Sequence, residues 1–171
     1  MNEFGFSAWD DIYDLVNAQS GKQVFSSGFR LLKNRHFLIL SPMNKVDTNE
    51  EYIIEANQKE VNFPIKLLFC KVDDISVTEN TTIFVDADKL NFPLVLRRWQ
   101  EGDSFYPIGM GGKSKKVSKF FKDEKLSLIE KENTWLLCSD NQIVWIVGMR
   151  QDERFKINKP TPNQLQITLL L

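Results

Sequence analysis

The sequence predicts a β-rich α+β fold, with two packed β layers and one helix at an edge. Eight short apolar runs separated by turn signals follow residue 50, which is the pattern of a strand-rich domain. A lysine-rich segment with helical periodicity interrupts them. The last run, residues 164–170, alternates apolar and polar side chains, as a strand with one buried face does. Hydrophobic residues make up 42% of the chain and aromatic residues 12%, which is enough for a sizeable core.

The first 45 residues predict a helix and a hairpin that are too small to be stable alone. Ser7 is the expected N-cap of a helix over residues 7–19, and strands are expected at 24–25, 29–32 and 37–40. The apolar residues of one helix face are Trp9, Ile12, Tyr13 and Val16. The segment 1–45 is interpreted as the tail of a larger domain plus a linker, because 41–50 is polar and begins with Ser-Pro. Residues 46–171 form the second predicted domain.

The second domain is predicted to consist mainly of strands. The clearest hairpin runs from Trp135 to Trp145, with Ser139, Asp140 and Asn141 at its turn. Only the lysine-rich segment and residues 126–132 are expected to be helical. The predicted strands are 52–54, 65–72, 82–85, 94–99, 134–139, 142–148, 154–157 and 164–170.

Positive charge is concentrated in one window of an otherwise acidic chain. Residues 97–125 carry eight basic and four acidic residues, net +4, whereas the remaining 14 basic and 19 acidic residues give −5 and the chain −1. An asymmetry of this kind indicates an anionic partner at that window, with phosphate as the first candidate. The alternative is an ordinary solvated face, which most lysine runs are.

The lysine-rich segment has two different faces when it is drawn as a helix of 3.6 residues per turn. Val117, Phe120 and Phe121 fall on one side and predict a packed face. The opposite side is expected to be a cationic stripe made by Lys115, Lys119 and Lys122.

A glycine loop precedes this segment and resembles phosphate-binding motifs only in part. Gly112-Lys113-Ser114 ends like a Walker A loop, but Pro107 stands where that motif needs glycine. The G-x-G-x-x-G pattern starting at Gly109 also fails, because Ser114 replaces its third glycine. These departures exclude a nucleotide site. The loop is still expected to present backbone N–H groups to an anion at a helix N-terminus.

No catalytic or metal-binding constellation is predicted. The single histidine, His36, lies at the edge of an apolar run, and two cysteines, Cys70 and Cys138, are too few for a zinc site. Asp86 and Asp88 are interpreted as turn residues rather than as metal ligands. No apolar run is long enough to span a bilayer and the N-terminus lacks signal-peptide features, so a cytoplasmic location without membrane contact is expected.

An ordered set of motifs resembles the C-terminal domain of the tRNA(Ile)-lysidine synthetase family. It begins with Pro93-Leu94 and Arg97, continues through Gly102-Asp103-x-Phe105-x-Pro107-x-Gly109 and Lys115-Lys116-Val117, and ends with Trp145-x-Val147-Gly148-x-Arg150. The upstream segment through Leu40 is similar to the end of the family's middle domain. The resemblance implies a fold shared with a domain of the phenylalanyl-tRNA synthetase β subunit.

The resemblance also implies a function. The family uses ATP to ligate lysine to the wobble cytidine of an isoleucine tRNA, with ATP and Mg expected only in an N-terminal PP-loop domain. That domain's Ser-Gly-Gly-x-Asp-Ser loop is not in this sequence, so the fragment alone is expected to bind no cofactor and to be inactive. The implied partners are the acceptor-stem side of isoleucine tRNA, the enzyme's own N-terminal domain and a second copy of the chain in a homodimer.

The charge pattern and the resemblance together predict an RNA-facing surface that binds phosphates. Trp99, Phe105 and Tyr106 could stack on unpaired bases, although core packing is the better interpretation for each. The alternative function is a protein-interaction or dimerisation β domain without direct RNA contact. The predicted RNA-binding residues are Arg97, Arg98, Lys113, Lys115, Lys116, Lys119, Lys122 and Arg150.

Overall fold

A computed structural model describes residues 5–7, 9–43, 50–73, 80–158 and 161–171. The chain divides into two compact units. The first comprises Met1–Asp47 and Lys125–Glu132, and the second comprises Thr48–Glu124 and Asn133–Leu171. The boundary predicted near residue 45 lies outside the described residues, so the division into 1–45 and 46–171 stays a prediction. That division did not foresee that 125–132 belongs to the first unit.

The first unit contains one helix and a three-stranded antiparallel sheet in the order β1-β2-β3. The helix contacts β1 and buries Leu15, while Leu32 is buried on the middle strand. Three residues of the predicted apolar helix face, Trp9, Tyr13 and Val16, are exposed to solvent. The elements are α1 (Trp9–Asn17), β1 (Gln23–Phe25), β2 (Phe29–Asn34) and β3 (Phe37–Pro42).

The segment 125–132 joins the first unit through specific contacts. Arg30 donates two hydrogen bonds to the carboxylate of Glu132, each of 2.7 Å. Arg35 donates to the carbonyl oxygen of Lys125 at 3.2 Å. Helix α3 (Leu128–Asn133) begins in this segment, as predicted.

The second unit is built from two antiparallel sheets. A five-stranded sheet has the order β13-β12-β11-β8-β4, and a four-stranded sheet has the order β5-β6-β14-β7. The first sheet consists of β4 (Glu51–Ile54), β8 (Leu94–Arg98), β11 (Trp135–Ser139), β12 (Gln142–Ile146) and β13 (Arg150–Gln151). The second consists of β5 (Glu60–Val61), β6 (Lys66–Lys71), β7 (Thr82–Asp86) and β14 (Gln164–Leu170).

One apolar core joins the two sheets. Alternate side chains of the central strands point inward, since successive strand residues face opposite sides of a sheet. Burying these side chains removes apolar surface from water and is the main stabilising term of the unit. The predicted β-rich α+β class is therefore confirmed. The core includes Leu94, Leu96, Leu137 and Trp145 from the first sheet and Leu67, Ile83, Val85, Leu165 and Ile167 from the second.

A short helix, α2 (Val117–Asp123), packs through aromatic side chains. Val117, Phe120 and Phe121 are buried, as the periodicity predicted. The Phe120 ring meets that of Phe105 edge-on, with centroids 5.3 Å apart. The two-stranded sheet of β9 (Ser104–Phe105) and β10 (Lys115–Lys116) leads into this helix.

Two local predictions had different outcomes. The strand expected at 154–157 was wrong, because Glu153–Phe155 is a 3₁₀ turn in which the Asp152 carboxylate accepts from the Arg154 N–H. The turn interpretation of Asp86 is confirmed, because its carboxylate accepts from the N–H of Asp88 at the start of another 3₁₀ turn. Aspartate favours such positions since its short side chain reaches the backbone two residues ahead.

Candidate nucleic-acid interface

The glycine loop between β9 and β10 has left-handed backbone at its glycines and a hydrogen bond to Glu153, a residue outside the loop. Gly109, Gly111 and Gly112 have φ of 86°, 60° and 72°, in the left-handed region that only glycine adopts without strain. The N–H of Gly112 donates to a carboxylate oxygen of Glu153 at 3.1 Å. The strand β10 separates this loop from the start of α2. The expectation that the loop amides lie at the N-terminus of that helix was therefore wrong.

A buried carboxylate organises the neighbouring residues. Asp152 is completely buried and accepts from the N–H of Tyr106 at 2.9 Å. The same carboxylate accepts from the side chain of Arg154, whose guanidinium lies over the Tyr106 ring. The backbone of Glu153 also donates to the carbonyl of Tyr106 at 2.7 Å. These residues hold the glycine loop but were not predicted, because 46 residues separate the partners in sequence.

Helix α2 presents two lysines to solvent. Lys119 and Lys122 are exposed, and they lie opposite the buried face formed by Val117, Phe120 and Phe121. Lys115 was predicted to join them but lies on β10, outside the helix. The three-lysine stripe is thus reduced to two helical lysines.

Lys115 is half-buried and paired instead. Its Nζ lies 2.8 Å from the carboxylate of Asp123 and 5.6 Å from the centroid of the Phe120 ring. The hydrogen bond from Lys115 lowers the pKa of Asp123, and the charges of Lys119 and Lys122 act in the same direction. The two helical lysines therefore lie within electrostatic range of one carboxylate.

The three predicted arginines have protein partners. Arg97 forms a bidentate pair with Asp103, with N–O distances of 2.8 and 2.9 Å, and both side chains are largely buried. These hydrogen bonds raise the pKa of Arg97. Arg150 lies 3.8 Å from a carboxylate oxygen of Glu124. The Arg98 guanidinium stacks 3.7 Å above the ring of Trp135, and burial lowers its pKa.

Four of the eight predicted RNA-binding residues are exposed and have no ion-pair partner in the described ranges. We call them the exposed lysine group. They extend from the glycine loop through the end of β10 to the outer face of α2, a path of ten residues along the chain. This group is Lys113, Lys116, Lys119 and Lys122.

The described residues offer little metal-binding or nucleophilic chemistry. No group of three or more His, Cys, Asp or Glu that could hold a metal ion occurs among the described residues. Cys138 is 2% exposed, and its burial raises the pKa of the thiol to about 11. A thiol in that state is a poor nucleophile, because the thiolate is the reactive form. No helix in the described part of the chain is both long and apolar enough to cross a membrane.

Comparison with known proteins assigns both parts of the chain to one family. Residues 1–43 match the model of the TilS substrate binding domain, and residues 94–167 match that of the TilS substrate C-terminal domain. The structure is similar to a solved structure described as the crystal structure of TILS C-terminal domain, with a TM-score of 0.59 and 18% identity. That match covers 70% of this chain and 96% of the solved chain.

Relatives named tRNA(Ile)-lysidine synthase extend the match over nearly the whole chain. The protein of Parabacteroides distasonis is 42% identical over 99% of this chain and 40% of its own length. That of Bacteroides thetaiotaomicron is 36% identical over 94% of this chain and 36% of its own length. The chain thus spans about two-fifths of the curated relatives it matches.

The matched models define a class, a chain that combines a TilS-type substrate-binding domain with a TilS-type C-terminal domain. Within that class, the chain belongs to the tRNA(Ile)-lysidine synthase family. The resemblance inferred from the ordered motifs between residues 93 and 150 is confirmed.

Proposed function

We propose that the chain is the non-catalytic, tRNA-binding part of a tRNA(Ile)-lysidine synthase, which ligates lysine to the wobble cytidine of an isoleucine tRNA using ATP. The observation that carries this proposal is the exposed lysine group, whose members form no ion pair among the described residues. The name of the first matched domain, substrate binding, supports it independently.

The proposed binding mode is electrostatic. Lys119 and Lys122 point away from the core on a rigid helix, so their positions are fixed by the burial of Phe120 and Phe121. An RNA helix has a narrow major groove that side chains cannot read, and proteins bind it largely by shape and by backbone contact. Exposed lysines therefore suit phosphates better than base edges. Arg97, Arg98, Lys115 and Arg150 act less directly in this proposal, because protein groups already engage them.

The proposal includes partners outside this chain. The acceptor-stem side of isoleucine tRNA is the proposed ligand, and the enzyme's own N-terminal domain is the proposed source of catalysis, where ATP and Mg would bind. No cofactor is proposed for the 171 residues themselves. The proposed location is the cytoplasm, and the fragment alone is proposed to be inactive.

The test is fluorescence anisotropy of this chain with labelled isoleucine tRNA over a series of salt concentrations. Contacts to three or four phosphates give a log–log slope of about −2 to −4. Changing Lys119→Gln and Lys122→Gln together should reduce the steepness of the slope by about 1 per lysine. The matched control is Lys59→Gln with Lys71→Gln, two exposed lysines elsewhere in the same unit.

The control variant should bind like the parent chain. Equal loss in both variants would mean that only net charge matters and would contradict a localised surface. A folded parent chain that does not bind tRNA at low salt would overturn the proposal.

A second candidate function is a protein-interaction or dimerisation domain, and one observation favours it. Trp9, Tyr13 and Val16 form an exposed apolar face on α1, with exposed fractions of 59%, 74% and 48%. Patches of this kind on soluble proteins often mark interaction sites. Light scattering over a range of protein concentrations distinguishes the candidates, because an apolar interface persists at high salt whereas phosphate binding does not.

A further inference from the structure

A row of side chains joined by edge-on ring contacts and one cation–π contact lies at the rim of the inter-sheet core. The Phe63 ring meets the Tyr52 ring edge-on at 5.5 Å, and the Tyr52 ring meets the Trp135 ring edge-on at 5.6 Å. The guanidinium of Arg98 lies 3.7 Å from the centroid of the same Trp135 ring. We call these four residues the aromatic ladder. All of them belong to the second unit, and strands β4, β8 and β11 position three of them.

The outer end of the ladder is exposed to solvent. Phe63 is 69% exposed although Tyr52 supports its ring from one side. Its surroundings are polar: Asn62 is exposed, and Glu60 pairs with Lys66 at 3.5 Å on the adjoining strands. A stable protein interface needs about 800 Å² from each partner. One ring in a polar setting is too small for that, but it matches the face of a single nucleobase.

The inner end of the ladder carries a positive charge without a direct counterion. Arg98 has no ion pair or side-chain hydrogen bond among the described residues, and its Nη1 is buried without an acceptor. Glu50 accepts a hydrogen bond from the Tyr52 hydroxyl at 3.0 Å and acts on Arg98 only through its charge. Arg98 therefore adds a positive charge to the inner end of the ladder, two rings away from Phe63.

We infer that the aromatic ladder binds an unpaired nucleotide of the tRNA, with the base stacked on the exposed Phe63 ring that Tyr52 supports. This inference rests on the proposed tRNA-binding function. Base stacking on an aromatic ring and on an arginine plane is how proteins commonly hold single-stranded RNA. The aromatics considered from the sequence suit this role less, since Phe105 is fully buried and Trp99 packs edge-on against Phe121 at 5.4 Å.

The experiment compares two RNA ligands, isoleucine tRNA and a blunt-ended RNA duplex without unpaired nucleotides. Affinities are measured by anisotropy for the parent chain and for Phe63→Ala, Phe63→Leu and Phe63→Trp. Phe63→Leu keeps an apolar contact with Tyr52 but cannot stack, whereas Phe63→Trp keeps a stacking surface. The matched control is Phe25→Ala, which removes a ring that is 56% exposed in the other unit. Circular dichroism and urea unfolding establish that each variant is folded.

We expect Phe63→Ala and Phe63→Leu to weaken tRNA binding by about five- to 150-fold, the contribution of one base–aromatic stack. The salt slope should not change, because no phosphate contact is removed. Phe63→Trp should bind tRNA like the parent chain, and every variant should bind the duplex equally. The control Phe25→Ala should behave like the parent chain with both ligands.

The inference is overturned if Phe63→Ala binds tRNA as tightly as the parent chain, or if it weakens tRNA and duplex binding alike. These failures can be separated from failure of the proposed function. Weaker tRNA binding by the Lys119 and Lys122 double variant, with unchanged binding by Phe63→Ala, leaves the tRNA-binding function standing and removes only the stacking site. A parent chain that binds neither RNA overturns both.

Discussion

Asp103 shows how one carboxylate can fix both a strand end and a turn. It accepts two hydrogen bonds from Arg97 and one from the backbone N–H of Gln100 at 2.7 Å. The side chains of Arg97 and Asp103 are only 11% and 14% exposed. A charge this far from water needs its partner, because an unpaired buried ion loses solvation without compensation. The sequence predicted Arg97 as a phosphate ligand, because a sequence shows that a residue is charged but not which carboxylate it pairs with.

The first prediction concerns Asp103→Asn. An amide cannot accept both hydrogen bonds from the guanidinium with full charge, so the free energy of unfolding should fall by about 1–3 kcal/mol. Urea denaturation followed by tryptophan fluorescence measures this change. The control is Glu101→Gln, two residues earlier on the exposed surface, which should leave the midpoint unchanged. An Asp103→Asn midpoint equal to that of the control would contradict the structural role assigned to this pair.

At the scale of elements, the periodicity of the sequence predicted the buried face of a helix. It did not predict strands that pair with residues far away in the chain. The buried face of α2 followed from Val117, Phe120 and Phe121, since apolar residues at these spacings share one side of a helix. The start of the helix did not follow, because Lys115 pairs with Phe105 in a two-stranded sheet. Ten residues separate these partners, and no short sequence window contains that information. For the same reason the sequence did not predict the two-residue strands β5, β9, β10 and β13.

The ion pairs could not be predicted from the sequence either, because their partners are distant in the chain. The basic residues are concentrated in residues 97–125, as the charge count showed. How many of them are available to a ligand depends on which carboxylates pair with them. Lys115 reaches Asp123, eight residues away, and Arg150 reaches Glu124, 26 residues away. The exposed lysine group is therefore half of the predicted set.

A second prediction concerns the start of α3. Ser127 precedes this helix and accepts from the N–H of Glu130, while Glu130 accepts from the N–H of Ser127 at 2.6 Å. This reciprocal pair satisfies two backbone donors that a helix start otherwise leaves unpaired. Ser127→Ala should lower the free energy of unfolding by about 1 kcal/mol. Ser114→Ala, at an exposed loop serine, is the control and should have no effect.

The same capping pair makes stability depend on pH. The hydrogen bonds from Ser127 lower the pKa of Glu130 below its ordinary value of 4.5. A depressed folded-state pKa stabilises the protein above the ordinary value, and this contribution is lost as the pH falls through the folded-state pKa. The difference in unfolding free energy between the parent chain and Glu130→Gln should therefore be present at pH 7 and shrink below pH 4.5. A difference that is constant with pH would contradict the role of the carboxylate.

At the scale of the whole molecule, the order of the chain and the division into units do not coincide. The segment Lys125–Glu132 follows the lysines of α2 in sequence but belongs to the first unit. The chain therefore passes between the units three times. Arg30 and Glu132 are 102 residues apart in sequence and form a direct contact within the first unit. The composition predicts one boundary, near residue 45, and gives no sign of the changes of unit at residues 125 and 133.

A double-mutant cycle on Arg30 and Glu132 tests whether this contact stabilises the first unit. The pair is bidentate at 2.7 Å, with side-chain exposures of 17% and 31%. Arg30→Met, Glu132→Gln and the double variant are compared by urea unfolding, and we expect a coupling energy of about 1–3 kcal/mol, because bidentate charged hydrogen bonds are among the strong ones. The control cycle uses Lys66 and Glu60, a pair of 3.5 Å whose side chains are 47% and 43% exposed. Water screens that pair, so its coupling should not exceed about 1 kcal/mol. Equal coupling in the two cycles would mean that Arg30 and Glu132 only lie near each other, and that apolar packing holds the segment in the first unit.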